Sequence, residues 1–319
     1  MKNVLYYNNC WMTNIGEAFI DIGACKLLNN IPGINVIANS SMTEWYLQDF
    51  KRRVNTGSLY NKISGITKNK INLSNCFKLQ DYYKPDYFIL AGMFASEQLE
   101  KAETFEILNT FRERGTEIIF LGLGGEHYND SEREFFSRLL ERLSPKLVTT
   151  RDRKTYEAYK DVSECYDGID CALWSREVYD PTDFPCAEYS CVTFNRLEEP
   201  SLAELNLENT SEVIRPIHSL YGTSPYSRCL AKNRIFLSDS PVDYLTLYAN
   251  AKAVYTDMVH ATLVSLMYET PVKYFYFDHR SEVIYSLPIS ETDGFLYLDM
   301  NNLTKRKLEI EDIIRKYIV

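Results

Sequence analysis

Three of the four histidines, His127, His218 and His260, fall at the ends of short apolar runs, and so do Arg151, Arg196 and Arg215. Histidine moves protons near neutral pH, and arginine grips carboxylates and phosphates through paired N–H groups. A single histidine or arginine at such a place serves structure as readily as chemistry. Taken jointly, they describe a polar cleft suited to an anion and to proton transfer. Thr256 and Asp257 precede His260, and Ala261 follows it. Asp152 follows Arg151, where a carboxylate either joins the chemistry or caps the next helix. Asn14 and Gly16 come after the first apolar run, Gly92 closes a later one, and Gly122-Leu123-Gly124-Gly125 closes another. This glycine run is neither a dinucleotide fingerprint nor a P-loop, since no Gly-Lys-Ser/Thr follows. It marks a close approach of backbone either to a ligand or to a neighbouring helix.

The elements that must carry these residues follow from hydrophobic patterning. Apolar runs at Asn3–Tyr7, Ile34–Ala38, Tyr87–Ala91, Glu117–Leu121 and Lys146–Thr150 alternate with amphipathic stretches such as Glu17–Leu28, Ala95–Arg114 and Ser131–Leu143. Continuous apolar strands between such helices predict βαβ units and a parallel sheet buried on both faces. The pattern restarts after an Asp- and Pro-rich loop around Tyr179–Pro185, with runs at Tyr189–Phe194, Glu212–Ile217, Arg234–Leu237, Ala253–Tyr255 and Val272–Phe277. Helices are expected at Pro241–Ala249, Ala261–Tyr268 and, finally, 305–319. The expected architecture is therefore α/β, with two Rossmann-like parallel-sheet domains, 1–183 and 184–319, facing a cleft. In open parallel sheets ligands bind beyond the carboxyl ends of the strands, where the residues above fall.

Composition narrows the function classes. A formal charge of −9 argues against a general nucleic-acid binder, because a polyphosphate is repelled over most of such a surface. No apolar run approaches the roughly 20 residues that span a bilayer. The first nine residues, Met1–Asn9, are too short and polar for a secretory signal and read as a strand, so a cytoplasmic protein is expected. The 8 cysteines include no Cys-x-x-Cys pair, which favours reduced thiols over a disulfide framework, and no cluster has metal-ligand spacing. Neither a metal nor a cofactor is expected. Between Asp49 and Asp81 there is no acid, while Lys51, Arg52, Arg53, Lys62, Lys68, Lys70 and Lys78 all occur there. This segment, 51–78, either meets an anionic ligand or the inner face of a membrane, or is a solvated loop.

Read in order, the strand-end residues resemble the polysaccharide pyruvyl transferase family, whose members are similar in fold to GT-B glycosyltransferases. Asn14-Ile15-Gly16-Glu17 resembles the family's Asn-x-Gly-Asp turn. Asp86–Gly92 and Phe120–Gly125 resemble its two Gly-containing strand ends, and Thr150-Arg151-Asp152 its Arg-Asp motif. Gly168-Ile169-Asp170-Cys171-Ala172 resembles its Asp-x-Ala segment. Thr256-Asp257-Met258-Val259-His260-Ala261, running on to Pro271, resembles its Ser-x-Arg-x-His-Ala motif, with Met258 where the family has arginine.

The resemblance implies pyruvyl (ketal) transfer from phosphoenolpyruvate to a saccharide, such as a lipid-linked one, in cell-surface polysaccharide synthesis. It implies His260 as general acid, with Arg151 and Asp152 beside it. Arg196, Arg215, His218, Thr256, Asp257 and Ala261 fall on the donor side. Asn14, Gly16, Gly92, Gly124 and His127 fall on the acceptor side. A thioether cannot hold a carboxylate or phosphate as a guanidinium does, so at Met258 either another arginine (Arg196, Arg215 or Arg228) serves, the donor differs, or the protein binds glycans without catalysis. A GT-B-type glycosyltransferase using a nucleotide sugar is the competing enzyme reading.

Overall fold

The computed structural model describes the chain except residues 9–13, 40–78, 96–102, 183, 185, 209–211, 219–233, 277 and 319. The basic segment 51–78 and Arg228 thus lie outside the described residues, and so does any membrane or acceptor contact expected of that segment.

The first half builds one sheet from β1 (Lys2–Tyr7), β2 (Ile34–Asn39), β3 (Tyr87–Ala91), β4 (Phe94–Ala95), β5 (Glu117–Gly125), β6 (Leu147–Thr150) and β7 (Cys165–Tyr166). Its order is β2-β1-β3-β5-β6-β7, all parallel, with β4 pairing on β5. Side chains alternate across a strand, and both faces of this sheet are buried. Leu5, Phe88, Leu90, Ile118 and Phe120 pack on one side against Leu108 and Phe111 of α2 (Glu103–Glu113) and Phe136, Leu139 and Leu140 of α3 (Asp130–Leu143). Val4, Tyr6, Ile89, Ile119 and Leu121 face the other way, onto Phe19, Ile20 and Leu27 of α1 (Ile15–Asn29) and onto Leu173 and Trp174.

The last two residues belong to a 3-10 helix, Cys171–Glu177, capped by Asp170 and packed along α1. It forms the seam to the second half, since Leu173 and Trp174 share one buried cluster with Tyr244, Tyr248, Leu263 and Met267.

The second sheet runs β10 (Ile235–Phe236), β9 (Glu212–Pro216), β8 (Tyr189–Thr193), β11 (Val254–Thr256), β12 (Val272–Tyr274), β14 (Phe295–Leu298), β13 (Ile289–Thr292). The helices are α4 (Arg153–Tyr159) in the first half, then α5 (Pro241–Ala249), α6 (Val259–Met267), α7 (Glu282–Tyr285) and α8 (Met300–Ile318). This sheet is mixed: β14 pairs antiparallel with both β12 and β13. The hairpin turns at Asp293-Gly294, both at positive φ, and such a two-residue turn favours Gly at this backbone conformation.

The glycine run expected to close a strand is part of it instead. β5 continues to Gly125 because Gly124 and Gly125 pair with β4, and the ladder to β6 shifts register between Phe120 and Leu123. Gly122 at φ 63 makes that bulge possible. Two helices start earlier than expected: α6 at Val259 rather than Ala261, which puts His260 in its first turn, and α8 at Met300 rather than at 305.

Candidate functional site

The strand ends of both sheets converge on one cavity of about 680 Å³, part of it open to solvent. Arg151, Arg196, His218, His260, Asn14 and Asp257 line it, with Phe94, Asn195, Met258, Asp278 and Arg280.

Arg151 follows β6, its N–H bonded to the Leu123 carbonyl, and its guanidinium is buried. Nη1 donates to Asp170 Oδ2 at 3.2 Å, and the guanidinium carbon lies 4.5 Å from the centre of the Phe94 ring. Its Nε is buried with no hydrogen-bond partner among the described residues. Gly124 makes this seat possible, since a Cβ there would stand 2.3 Å from Nε.

His260 lies across Asp170 from Arg151, with Nε2 3.7 Å from Oδ2. Its Nδ1 rests on Gly16, where a Cβ would come within 2.4 Å. The two glycines therefore act by making room for two functional side chains. Asp170 itself is buried, and its Oδ1 accepts from the Ala172 N–H at 2.9 Å. Burial alone would raise its pKa, but His260 and Arg151 outweigh that and hold the carboxyl down at about 2. The result is one fixed negative charge shared by an arginine and a histidine.

Asp257 has a different task. Its carboxylate accepts from the backbone N–H groups of Asn195, Arg196 and Leu197 at 3.0, 2.8 and 2.7 Å, which fixes the turn after β8 that carries Arg196. Burial raises its pKa, against the pull of those three N–H groups. Thr256 Oγ1 accepts from the Met258 N–H at 2.9 Å, shaping the start of α6. Asn14 caps α1 through the Gly16 N–H, and the Ile15 N–H bonds to the His218 carbonyl, tying the starts of the two site segments together.

Other expected site residues stand elsewhere. Asp152 caps α4, with its two oxygens taken by the Thr155 N–H and Oγ1 at 2.7 Å each. Arg215 is turned to Glu199, 3.0 Å away. The His127 N–H donates to Glu132, and its side chain is exposed outside the cavity. Gly92, at φ 68, packs on Ile20, and Ala261 is core behind His260.

Sequence reasoning missed Phe94, Asp278 and Arg280. Arg280 is held by Asp278 through Nε at 2.9 Å and Nη2 at 2.5 Å, and the pair borders the cavity next to Met258. The strand-end rule applied after β12 could have found them, but no quoted motif reaches that far. Among the described residues no group of three His, Cys, Asp or Glu side chains is arranged to hold a metal ion, and no helix is long and apolar enough to cross a membrane.

A sequence model of the polysaccharide pyruvyl transferase family matches residues 14–279, from the α1 cap to the edge of the Asp278–Arg280 pair. The chain belongs to this family. No curated protein sequence matches it. In three dimensions this pyruvyl transferase family member is similar to S. aureus MnaA in its UDP co-structure, with a TM-score of 0.55 at 13% identity, covering 99% of this chain and 90% of that one. It is also similar to UDP-GlcNAc 2-epimerase from Neisseria meningitidis bound to UDP-GlcNAc, with a TM-score of 0.52 at 14% identity and coverage of 100% and 94%. The Rickettsia bellii UDP-N-acetylglucosamine 2-epimerase gives a TM-score of 0.52 at 11% identity, covering 100% and 97%. At these identities the likeness is one of fold, and the fold is GT-B-like.

Proposed function

We propose that this protein transfers the pyruvyl group of phosphoenolpyruvate to two hydroxyls of a saccharide, forming a ketal in polysaccharide synthesis. The observation that supports it most is the grouping of Arg151, Arg196 and Arg280 with His260 around one cavity, in a chain of the pyruvyl transferase family. Of the carboxylates nearby, Asp257 is spent on backbone amides, Asp170 stands behind Arg151 and His260, and Asp278 is paired with Arg280, so the cavity's cations outnumber the carboxylates left to face a ligand.

In the proposed reaction His260, as imidazolium, gives its proton to the methylene carbon of phosphoenolpyruvate. The double-bond electrons form the new C–H bond, leaving an oxocarbenium-like centre at the adjacent carbon. One sugar hydroxyl adds to that carbon, and its proton returns to the histidine. The C–O bond to phosphate then breaks, phosphate leaves with the bonding pair, and a second hydroxyl closes the ketal while its proton leaves with phosphate. Guanidiniums fixed around the cavity stabilise the charge on the carboxylate and the departing phosphate. Asp170 keeps the acid and Arg151 in register.

In this reading Arg280, held by Asp278, takes over the role of the family arginine replaced by Met258. The thioether, with Sδ 3.3 Å from Thr193 Oγ1, cannot bind an anion, but Arg280 supplies a guanidinium to the same cavity. Met258 also supports a second reading, a nucleotide-sugar glycosyltransferase. A thermal-shift panel of phosphoenolpyruvate and UDP-sugars separates the two, since a bound ligand raises apparent stability by mass action. Phosphoenolpyruvate is expected to stabilise the protein and UDP-sugars to leave it unchanged; the opposite result selects the second reading. In transfer assays H260Q should lose roughly 100- to 10,000-fold in rate, while R280A should chiefly weaken phosphoenolpyruvate binding. An H260Q variant with the parental rate would remove His260 from the reaction.

A further inference from the structure

His218 follows β9 and is only 3% exposed, yet it lines the same cavity as Arg151, Arg196 and His260. Its Nε2 lies 2.6 Å from the hydroxyl of Tyr248 on α5. Tyr248 is wholly buried and stands behind the cavity lining. Aromatic rings hold the imidazole on three sides, with centroids of Phe19, Tyr244 and Tyr248 at 5.8, 5.6 and 5.7 Å. The remaining ring nitrogen, Nδ1, is buried with no hydrogen-bond partner among the described residues. A buried polar atom left unpaired is costly, and a ligand in the cavity removes that cost by pairing with it.

Burial, with His260 nearby, pushes the His218 imidazole down to about 3. The ring is therefore neutral near pH 7, and a neutral imidazole carries a single N–H. A tyrosine hydroxyl can donate to Nε2, and when it does the ring hydrogen sits on Nδ1. A donor at this position suits a cavity that Arg151, Arg196 and Arg280 also line.

We propose that His218 is a substrate-binding residue whose Nδ1–H, set by Tyr248, donates a hydrogen bond to an oxygen of the anionic donor substrate. The two cavity histidines thereby divide the work: His260 moves a proton, and His218 holds an oxygen without gaining or losing one. This assignment rests on the phosphoenolpyruvate reading above.

Two amide replacements test it, because they preserve different ring nitrogens. H218N places an amide near the position of Nδ1, and H218Q places one near Nε2. Titration calorimetry with phosphoenolpyruvate should show H218Q binding roughly 10- to 100-fold more weakly than wild type, as expected for loss of a hydrogen bond to a charged group. H218N should stay close to wild type. H218Q keeps a partner for Tyr248, so its melting curve should match wild type. If H218N fails to fold, H218Q against wild type decides alone. Tight binding by H218Q with weak binding by H218N would overturn the proposal and leave the ring as a support for Tyr248. Equal loss in both, or no loss in either, would also overturn it. If the wild-type protein itself binds no phosphoenolpyruvate, the functional reading fails first and this assignment with it. Wild-type binding with the wrong pattern of variants sinks this assignment alone.

Discussion

At Asp170 a single buried carboxylate faces two side chains that the proposed chemistry needs. Removing its charge leaves the Arg151 guanidinium buried without its anion, which typically costs about 3–5 kcal/mol. D170N should therefore unfold at lower urea concentration than wild type at pH 7, and its transfer rate should fall as Arg151 and His260 lose their common partner. The pH dependence of that difference is diagnostic. Asp170 is held at about 2 in the folded state, below the ordinary aspartate value. Its contribution is thus present in full above the ordinary value and is lost as pH falls toward 2. The urea-stability gap between wild type and D170N should narrow by about 2 kcal/mol between pH 5 and pH 2. A gap that stays constant over that range would show that the carboxylate is not held down by its neighbours.

At the scale of elements, two glycines connect secondary structure to chemistry. Gly124 sits in β5 and Gly16 in the first turn of α1, and each occupies the place where a side chain would strike Arg151 or His260. Their role is room for a neighbour, since neither shows the positive φ of Gly92 or Gly122. G124A should push Arg151 off the Phe94 ring. A shift of about 1 Å in a positioning group costs on the order of 100-fold in rate, and overpacking costs about 1–3 kcal/mol in stability. G16A should act in the same way on His260. Kinetics and urea melts of both variants check this; a G124A enzyme with the parental rate would show that Arg151 has space to spare.

At the scale of the whole molecule, the two sheets are joined by buried residues rather than by a thin linker. One continuous cluster runs from Val4 and Phe19 through Leu173 and Trp174 to Tyr248, Leu263 and Ile314. Apolar burial of this extent couples the folding of the two halves. Scanning calorimetry should show one transition, with calorimetric and van't Hoff enthalpies in agreement. Phosphoenolpyruvate should move that single peak upward, because its site draws residues from both sheets. Two resolved peaks, with only one responding to ligand, would instead assign the site to one half.

Ten of the fourteen strands among the described residues were legible in the sequence, because continuous apolar runs act over a few neighbouring residues; the two-residue β4 and β7 and the β13–β14 hairpin were not. Tyr87–Ala91 and Pro241–Ala249 have the bounds expected of them. The positions of Arg151, Arg196, His218 and His260 in a cleft were legible for a related reason: the ends of parallel strands must converge on one edge. Other features arise only when distant segments pack. Asp170 stands between Arg151 and His260 because the 3-10 helix it caps docks along α1. Arg280 reaches the cavity because the chain turns back after β12 and pairs it with Asp278. Asp152 and Arg215 look as suitable as Arg151 in the sequence, yet local partners at Thr155 and Glu199 take them out of the cavity. Residue type and strand position were set by the sequence over short range, whereas the pairing of charges depends on which neighbour comes within about 4 Å after packing, and only the tertiary structure decides that.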